Sequence, residues 1–243
     1  MTGPLRYKVT DFKGWRLITQ EFIKNNPVNK ESDSPDEKHL LLDLDDCLIS
    51  SSYSKDSFNV QGVDLMYRRW ERPGLAHFLE QVSKSFKVSV FTSAHEIYAR
   101  NVVLNLSVLS KRNIAIYTRD HLEFNGDSIC KPLDIVYKLH KSKNGENEKK
   151  ALKNVLLLDN DPFYVAEGYR FNVLVAEEFK SGDQGDVIND GEPLLHAYLP
   201  VLEYLSKCED ISATMKRLHE EWEKAGVIKY ITDPLSSPPR FNL

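Results

Sequence analysis

The stretch His39-Leu40-Leu41-Leu42-Asp43-Leu44-Asp45-Asp46-Cys47-Leu48 decides the fold. Leu40 to Leu42 form a short, continuous apolar run that ends in acid. Such a run suits a strand covered on both faces, as in a parallel sheet, and is too short for a buried helix. Similar runs recur at 87–91 (KVSVF), 114–117 (IAIY), 155–158 (VLLL) and 173–175 (VLV). Helical patterns lie between them. Leu75, Phe78, Leu79 and Val82 mark one face after Arg72-Pro73-Gly74, and helical spacing also fits Ile97 to Val103. Leu133 to Leu139 fits too, starting behind Pro132 in a favourable first-turn position. This alternation predicts an α/β domain built on a parallel sheet. Two helices near 192–206 and 210–224 close the chain, followed by a proline-containing tail. Near the start, Trp15, Ile18 and Phe22 predict no more than a short packing helix. The polar, proline-broken segment 24–38 reads as a linker, and 141–150 as a solvated loop.

Composition narrows the function classes. Across 243 residues, 41% are hydrophobic and 28% charged, which suits a soluble domain with a real core. Lys+Arg 32 against Asp+Glu 36 gives a net charge of −4, so no global basic field points to nucleic acid. No run approaches the roughly 18 apolar residues of a membrane span. The opening MTGPLRYKVTDFKGW has no apolar segment of the signal-peptide kind. Cys47, Cys130 and Cys208 are too few and too scattered for a disulfide framework or a zinc site. The expectation is an intracellular protein, nuclear or cytoplasmic, with no membrane span and no direct nucleic-acid partner.

In an open parallel sheet, ligands bind beyond the carboxyl ends of the strands, and here those ends are chemically loaded. They carry Asp43-Leu44-Asp45-Asp46-Cys47, then Thr92-Ser93, then Lys131 at the opening of a helix, then Asp159-Asn160-Asp161-Pro162. Taken singly, each has a plain structural reading as a helix cap or turn former. Taken together they describe chemistry. Carboxylates from two strand ends with the amide oxygen of Asn160 make a hard-oxygen site suited to Mg²⁺. A carboxylate also serves as a nucleophile that forms an acyl phosphate. Asp43 and Asp45, two residues apart, reach phosphorus and the leaving oxygen if the chain curls there. Thr92 and Lys131 then neutralise phosphoryl oxygens in the transition state.

These segments resemble a known family. LLLDLDDCL is similar to the DxDx(T/V) signature of the haloacid dehalogenase superfamily. Residues 41–51, 70–79, 90–98, 119–133 and 155–162 are together similar to its small Ser/Thr phosphatases of the RNA polymerase II C-terminal domain (FCP/SCP type). The likeness divides the chain into an N-terminal extension and linker (1–37), a phosphatase domain (38–206) and a C-terminal helix and tail (207–243). It implies a central parallel sheet with a small β-flap and no large cap. It further implies a Mg²⁺-dependent phosphoserine/threonine phosphatase that works through an aspartyl-phosphate on a phosphoprotein. By the same likeness, Asp43 is the nucleophile and Asp45 the general acid, then base. Thr92, with Ser93 beside it, and Arg119 bind phosphate, and Lys131 holds nucleophile and phosphate together. Asp43, the Asp45 backbone carbonyl and Asn160 ligate Mg²⁺, with Asp159 behind them. Arg72-Pro73-Gly74 is structural. The chain departs from the family at Cys47, where Thr or Val is usual and a thiol is a weak donor. It departs again at Asp161, where Ser is common.

Two intervals bear on substrate size. Asp46 to Arg72 is 27 residues and Ala94 to Cys130 is 37, both below the ~50 that a domain with its own core needs. Neither holds a full lid, so the expected site is open to a protein chain. Tyr53, Phe58, Tyr67 and Trp70 are candidates to line a groove, with Arg68 and Arg69 attracting acidic phosphopeptides. The alternatives are a catalytically weak scaffold, like the mitochondrial import receptor that shares this domain, and a phosphatase of small metabolites. Intact Asp43, Asp45, Lys131 and Asn160 favour the enzyme.

Overall fold

Leu40, Leu41 and Leu42 are wholly buried in β2 (His39–Leu42), which has a parallel neighbour on each side. The computed structural model describes residues 6–28, 37–60, 63–106, 109, 114–125, 128–138, 152–161, 165, 167–180 and 194–231. Around β2 lie β5 (Lys87–Phe91), β6 (Ile116–Tyr117), β9 (Val155–Asp159) and β10 (Val173–Val175). The five strands are all parallel, in the order β10-β9-β2-β5-β6. From β2 the chain steps to β5 and β6 on one side, and later to β9 and β10 on the other. Strand order therefore reverses at β2, where open sheets of this kind form their ligand crevice. Leu42 lies opposite both Val90 and Leu158, which brings Asp43, Thr92 and Asp159 to one edge.

The helices are α1 (Phe12–Asn25), α2 (Leu75–Val82), α3 (Glu96–Asn105), the single turn α4 (Ile135–Lys138), α5 (Leu194–Lys207) and α6 (Ile211–Lys224). Between β2 and α2 stands the expected flap, an antiparallel pair of β3 (Ile49–Val60) and β4 (Val63–Glu71). A second small hairpin, β7 (Glu123–Asn125) with β8 (Ser128–Cys130), leads to Lys131. The described parts of the two insertion intervals are thus a helix, a short strand and two hairpins, with no large cap among the described residues.

Several boundaries differ from the sequence reading. The third sheet strand is Ile116–Tyr117 rather than 114–117, and α4 begins at Ile135 rather than 133. The N-terminal helix is no short fragment. Asp11 caps it by accepting from the Gly14 amide, and it runs 14 residues, burying Trp15, Thr19 and Phe22. Two unforeseen strands, β1 (Arg6–Val9) and β11 (Ile228–Ile231), pair antiparallel and join the two ends of the described chain. Trp15 packs 5.5 Å from Trp222 of α6, whose indole Nε1 donates to Thr19 Oγ1 at 2.9 Å. The loop 141–150, most of the linker and the terminal tail lie outside the described residues.

His219 of α6 is buried in this seam against the rings of Tyr7, Phe171 and Trp222, at 4.4, 5.3 and 5.0 Å. Neither ring nitrogen has a hydrogen-bond partner among the described residues. Burial, with the Arg170 charge, pushes its pKa down to about 3. The unfolded chain therefore binds a proton below the ordinary value of about 6.5 that the native state refuses until about pH 3. Stability on this account is full above pH 6.5 and falls as pH drops, by about 1.4 kcal/mol per unit. We expect His219→Phe to flatten the fall between pH 6.5 and 4.5 by ~2–3 kcal/mol, read from denaturant midpoints. Parallel slopes for the two proteins would contradict it.

Candidate active site

At the crevice edge three charged side chains meet out of water. Lys131 Nζ donates to Asp43 Oδ1 at 2.7 Å and to Asp159 Oδ2 at 2.6 Å. Lys131 and Asp159 are each only 1% exposed. Asp43 follows β2, its backbone N–H bonded to the Leu158 carbonyl, and Asp159 ends β9. Lys131 follows β8, and its ammonium sits 5.7 Å from the centre of the Phe91 ring. With both carboxyls ionised, one ammonium would leave the buried group net negative. Burial, then the nearby Asp159 and Asp45 charges, pushes Asp43 up to about 8 against the pull of Lys131. Burial acts to lower the Lys131 pKa, but Asp159 and Asp43 outweigh it and hold the ammonium above its ordinary range. Asp159 Oδ1 accepts from the Asp161 backbone N–H at 2.8 Å, so Asp159 acts as a buttress behind Lys131.

The curl that the chemistry requires is present. Asp46 adopts φ 57, a left-handed conformation that a short polar side chain tolerates. The amides of Cys47, Leu48 and Ile49 all point at the Leu44 carbonyl, at 3.3, 2.9 and 3.0 Å. Arg72, buried, fastens this turn: Nη1 donates to the Cys47 carbonyl and Nη2 to the Glu177 carbonyl, each at 2.8 Å. Gly74 then enters α2 at φ 79, where a side chain would be strained. The structural role expected of Arg72-Pro73-Gly74 fits these contacts.

Asp45 is turned toward the flap. Its Oδ1 accepts from Tyr98 OH at 2.5 Å and from Ser51 Oγ at 3.2 Å. Burial raises its pKa, and these two hydrogen bonds work against the rise. Neither hydroxyl was singled out in the sequence. The available signal was Tyr98 on the helix behind Thr92, since a Tyr at the edge of a core-facing helix needs a partner for its hydroxyl.

The remaining candidates divide. Thr92 is buried, and its Oγ1 accepts from the Ala94 amide at 3.1 Å, so it serves the turn as a cap as well as facing the edge. Arg119 Nε donates to the Ser93 carbonyl at 3.2 Å, placing Thr92, Ser93 and Arg119 along one side. Asn160 and Asp161 follow β9 at the same edge, partly buried. Arg69, partly buried, is tied to α3: Nη2 donates to Asn101 Oδ1 at 3.2 Å and its guanidinium lies over the Tyr98 ring. Trp70 is half-buried, while the side chains of Tyr53, Phe58, Tyr67 and Arg68 lie outside the described residues. Cys47 is buried, its Sγ 3.7 Å from the Leu158 carbonyl, and burial beside Asp43 and Asp159 raises its thiol pKa well above the ordinary value.

The edge fits a hard cation. Asn160 Oδ1 is buried and has no hydrogen-bond partner among the described residues, a costly arrangement for an amide oxygen unless a cation takes it. Asp43 points the same way: burial and its acidic neighbours push its pKa up to about 8, and a cation beside it would favour the ionised form. No three His, Cys, Asp or Glu side chains converge as a metal cluster among the described residues. Carboxylate and amide oxygens are donors that suit Mg²⁺ rather than a soft ion.

Sheet, flap and charged edge together describe a phosphatase-like α/β domain. The family model of the NLI interacting factor-like phosphatases matches residues 38–212, and the chain belongs to that family. Nuclear envelope morphology protein 1 of Saccharomyces cerevisiae is 26% identical over 220 residues, covering 84% of this chain and 46% of its own. This chain thus spans about half the length of that relative. CTD nuclear envelope phosphatase 1B of Danio rerio is 25% identical over 239 residues, covering 89% of this chain and 87% of its own. The solved structure of Fcp1, an essential RNA polymerase II CTD phosphatase, aligns with TM-score 0.46 at 15% identity, over 86% of this chain and 67% of that one. Among the described residues, no helix is long and apolar enough to cross a membrane.

Proposed function

We propose that this chain is a Mg²⁺-dependent phosphoprotein phosphatase that works through an aspartyl-phosphate on Asp43. The observation that carries this reading is the buried Lys131 ammonium shared between Asp43 and Asp159 at the switch point of the sheet. A carboxylate held by one lysine is aimed and kept from rotating, as an attacking group must be. Thr92, Ser93 and Arg119 take the phosphoryl oxygens. An Asp43 oxygen attacks phosphorus as the ester P–O bond breaks, and Asp45 gives its proton to the leaving alkoxide. Water then attacks the aspartyl-phosphate, its proton passes to Asp45, and phosphate leaves with both carboxyls restored. Lys131 stays protonated throughout and offsets negative charge. Mg²⁺, which Asp43, Asn160 and the Asp45 backbone carbonyl would hold with Asp159 behind, supplies positive charge to the phosphoryl oxygens.

The described insertions are too slight to seal the edge, which favours a phosphoserine or phosphothreonine chain over a free metabolite. The reading includes a substrate like the RNA polymerase II C-terminal domain and a nuclear or cytoplasmic place of action; the nuclear part agrees with the names of two relatives. In this reading residues 38–206 carry the chemistry, and the described parts of 1–37 and 207–243, α1, α6 and the β1–β11 pair, support it. We expect kcat/KM for phosphoserine peptides to exceed that for sugar phosphates at least tenfold, about 1.4 kcal/mol in the transition state. Excess chelator should remove the activity. Asp45→Asn, incubated with an aryl phosphate whose leaving group needs no proton, should accumulate phosphate on Asp43 by peptide mass spectrometry, because the second step still lacks its base. Phosphate on another residue, or preference for a free metabolite, would overturn the reading.

A further inference from the structure

Asp45 is held by groups outside the strand-end motifs. Tyr98 OH and Ser51 Oγ both donate to the same oxygen, Oδ1, and no described residue donates to Oδ2. The donors come from different layers: Tyr98 stands on α3, and Ser51 at the base of the flap. Ser51 is the cross-strand partner of Arg69. Arg69 in turn lies 5.8 Å over the Tyr98 ring and donates to Asn101, one helical turn on from Tyr98. The carboxylate is therefore gripped on one oxygen from two sides, and the grip is itself tied across the flap. Meanwhile Cys47, the position at which the family usually has Thr or Val, turns its thiol to the Leu158 carbonyl. It offers Asp45 no hydroxyl.

We infer that Tyr98, assisted by Ser51, is the positioning residue for Asp45, fixing Oδ1 so that Oδ2 faces first the leaving group and then water. The inference rests on Asp45 being the acid and base of the proposed reaction. A carboxyl group turns readily about its last bond, because that torsion is broad and roughly two-fold. A proton donor that spends most of its time rotated away is a poor one, so fixing the plane raises the fraction of productive encounters. The two hydroxyls do this from outside the motif that carries the acid.

Tyr98→Phe removes only the hydroxyl and keeps the ring under Arg69. For a phosphoserine peptide, whose alkoxide needs the proton, kcat should fall about 10- to 100-fold with KM unchanged, part of what acid catalysis contributes. For 2,4-dinitrophenyl phosphate, whose leaving group departs as an anion, the pre-steady-state burst should slow less than threefold. Ser51→Ala in the same background should lower peptide kcat further. Cys47→Thr in that background should restore part of it by returning a hydroxyl to the usual position. An equal fall for both leaving groups, or a raised KM with kcat kept, would overturn the positioning role and make Tyr98 a packing or substrate-contact residue. Turnover is not the only readout. Crystal structures of the parent and Tyr98→Phe proteins should show one Asp45 carboxyl orientation in the former and a rotated or split one in the latter. Identical orientations would overturn the inference even in an active enzyme. A parent protein that never forms phospho-Asp43 would instead refute the proposed reaction, and the carboxyl orientations would still decide whether Tyr98 holds Asp45.

Discussion

Replacing Asp43 with asparagine is expected to lower phosphate-ester turnover by about four orders of magnitude or more, in the range seen when a catalytic nucleophile is removed. The fold should survive. Asparagine has nearly the same volume, and its amide oxygen still accepts from Lys131, but the amide is too weak a nucleophile to attack phosphorus. Stability should move in the opposite direction from activity. Burial, Asp159 and Asp45 push Asp43 up to about 8, so its ionised form is disfavoured in the folded protein without a cation. A carboxyl whose folded pKa is raised gives its full stability below the ordinary value near 4 and loses it as pH climbs toward 8. In chelator, then, the Asn variant should match the parent near pH 4 and become the more stable of the two as pH rises. Mg²⁺ should raise the melting temperature of the parent at pH 8 and do far less for the variant. The acid effect of His219 is common to both proteins and cancels in the difference. Retention of more than a few per cent of parent activity would remove Asp43 from the role of nucleophile.

What could be read from the sequence divides along physical lines. The runs ending at Leu42, Phe91, Leu158 and Val175 were legible because strands buried on both faces are apolar throughout. Residues placed at their carboxyl ends then had to converge once the strands aligned, which is why Asp43, Thr92 and Asp159 could be named as neighbours. The β1–β11 pair was hidden for the converse reason. RYKV and IKYI are four residues each, interrupted by Arg and Lys, and they gain their partner across almost the whole chain. The length of α1 was obscured by its mixed polarity, and its stability comes from Trp222 and Tyr198 rather than from its own pattern. At the site, the groups were legible and their orientations were not. Ser51 and Tyr98 lie in segments that resemble the family without a role of their own, and Arg69 reads as a basic residue that attracts acidic peptides. Only the crossing of the flap over α3 brings these three to Asp45.

Lys131→Met is the substitution expected to cost the fold most. Methionine keeps the apolar stem against Phe91 but removes the ammonium that Asp43 and Asp159 share at 2.7 and 2.6 Å. Two buried carboxylates are then left facing each other without a cation. Stripping one partner from a buried ion group costs about 3–5 kcal/mol, which in a chain of this size lowers the melting temperature by ~6–20 °C. The loss depends on pH in a definite direction. Without Lys131 the pair can relieve itself by taking up a proton, so the penalty should be smaller at pH 5 than at pH 8. Asp159→Asn, added to Lys131→Met, should recover much of the loss, because one buried carboxylate is left instead of two. The double-mutant cycle should return a coupling of about 2 kcal/mol or more, as residues in one charged network do. Denaturant midpoints in chelator measure all four proteins, and phosphatase activity should be absent from every one that lacks Lys131. A loss below about 1 kcal/mol at pH 8, the range of an exposed ion pair, would mean that solvent reaches these carboxylates and shares the work of Lys131. A full loss that the second substitution recovers would locate the stabilisation in the charge balance of Asp43, Lys131 and Asp159, the same balance that aims Asp43 at phosphorus.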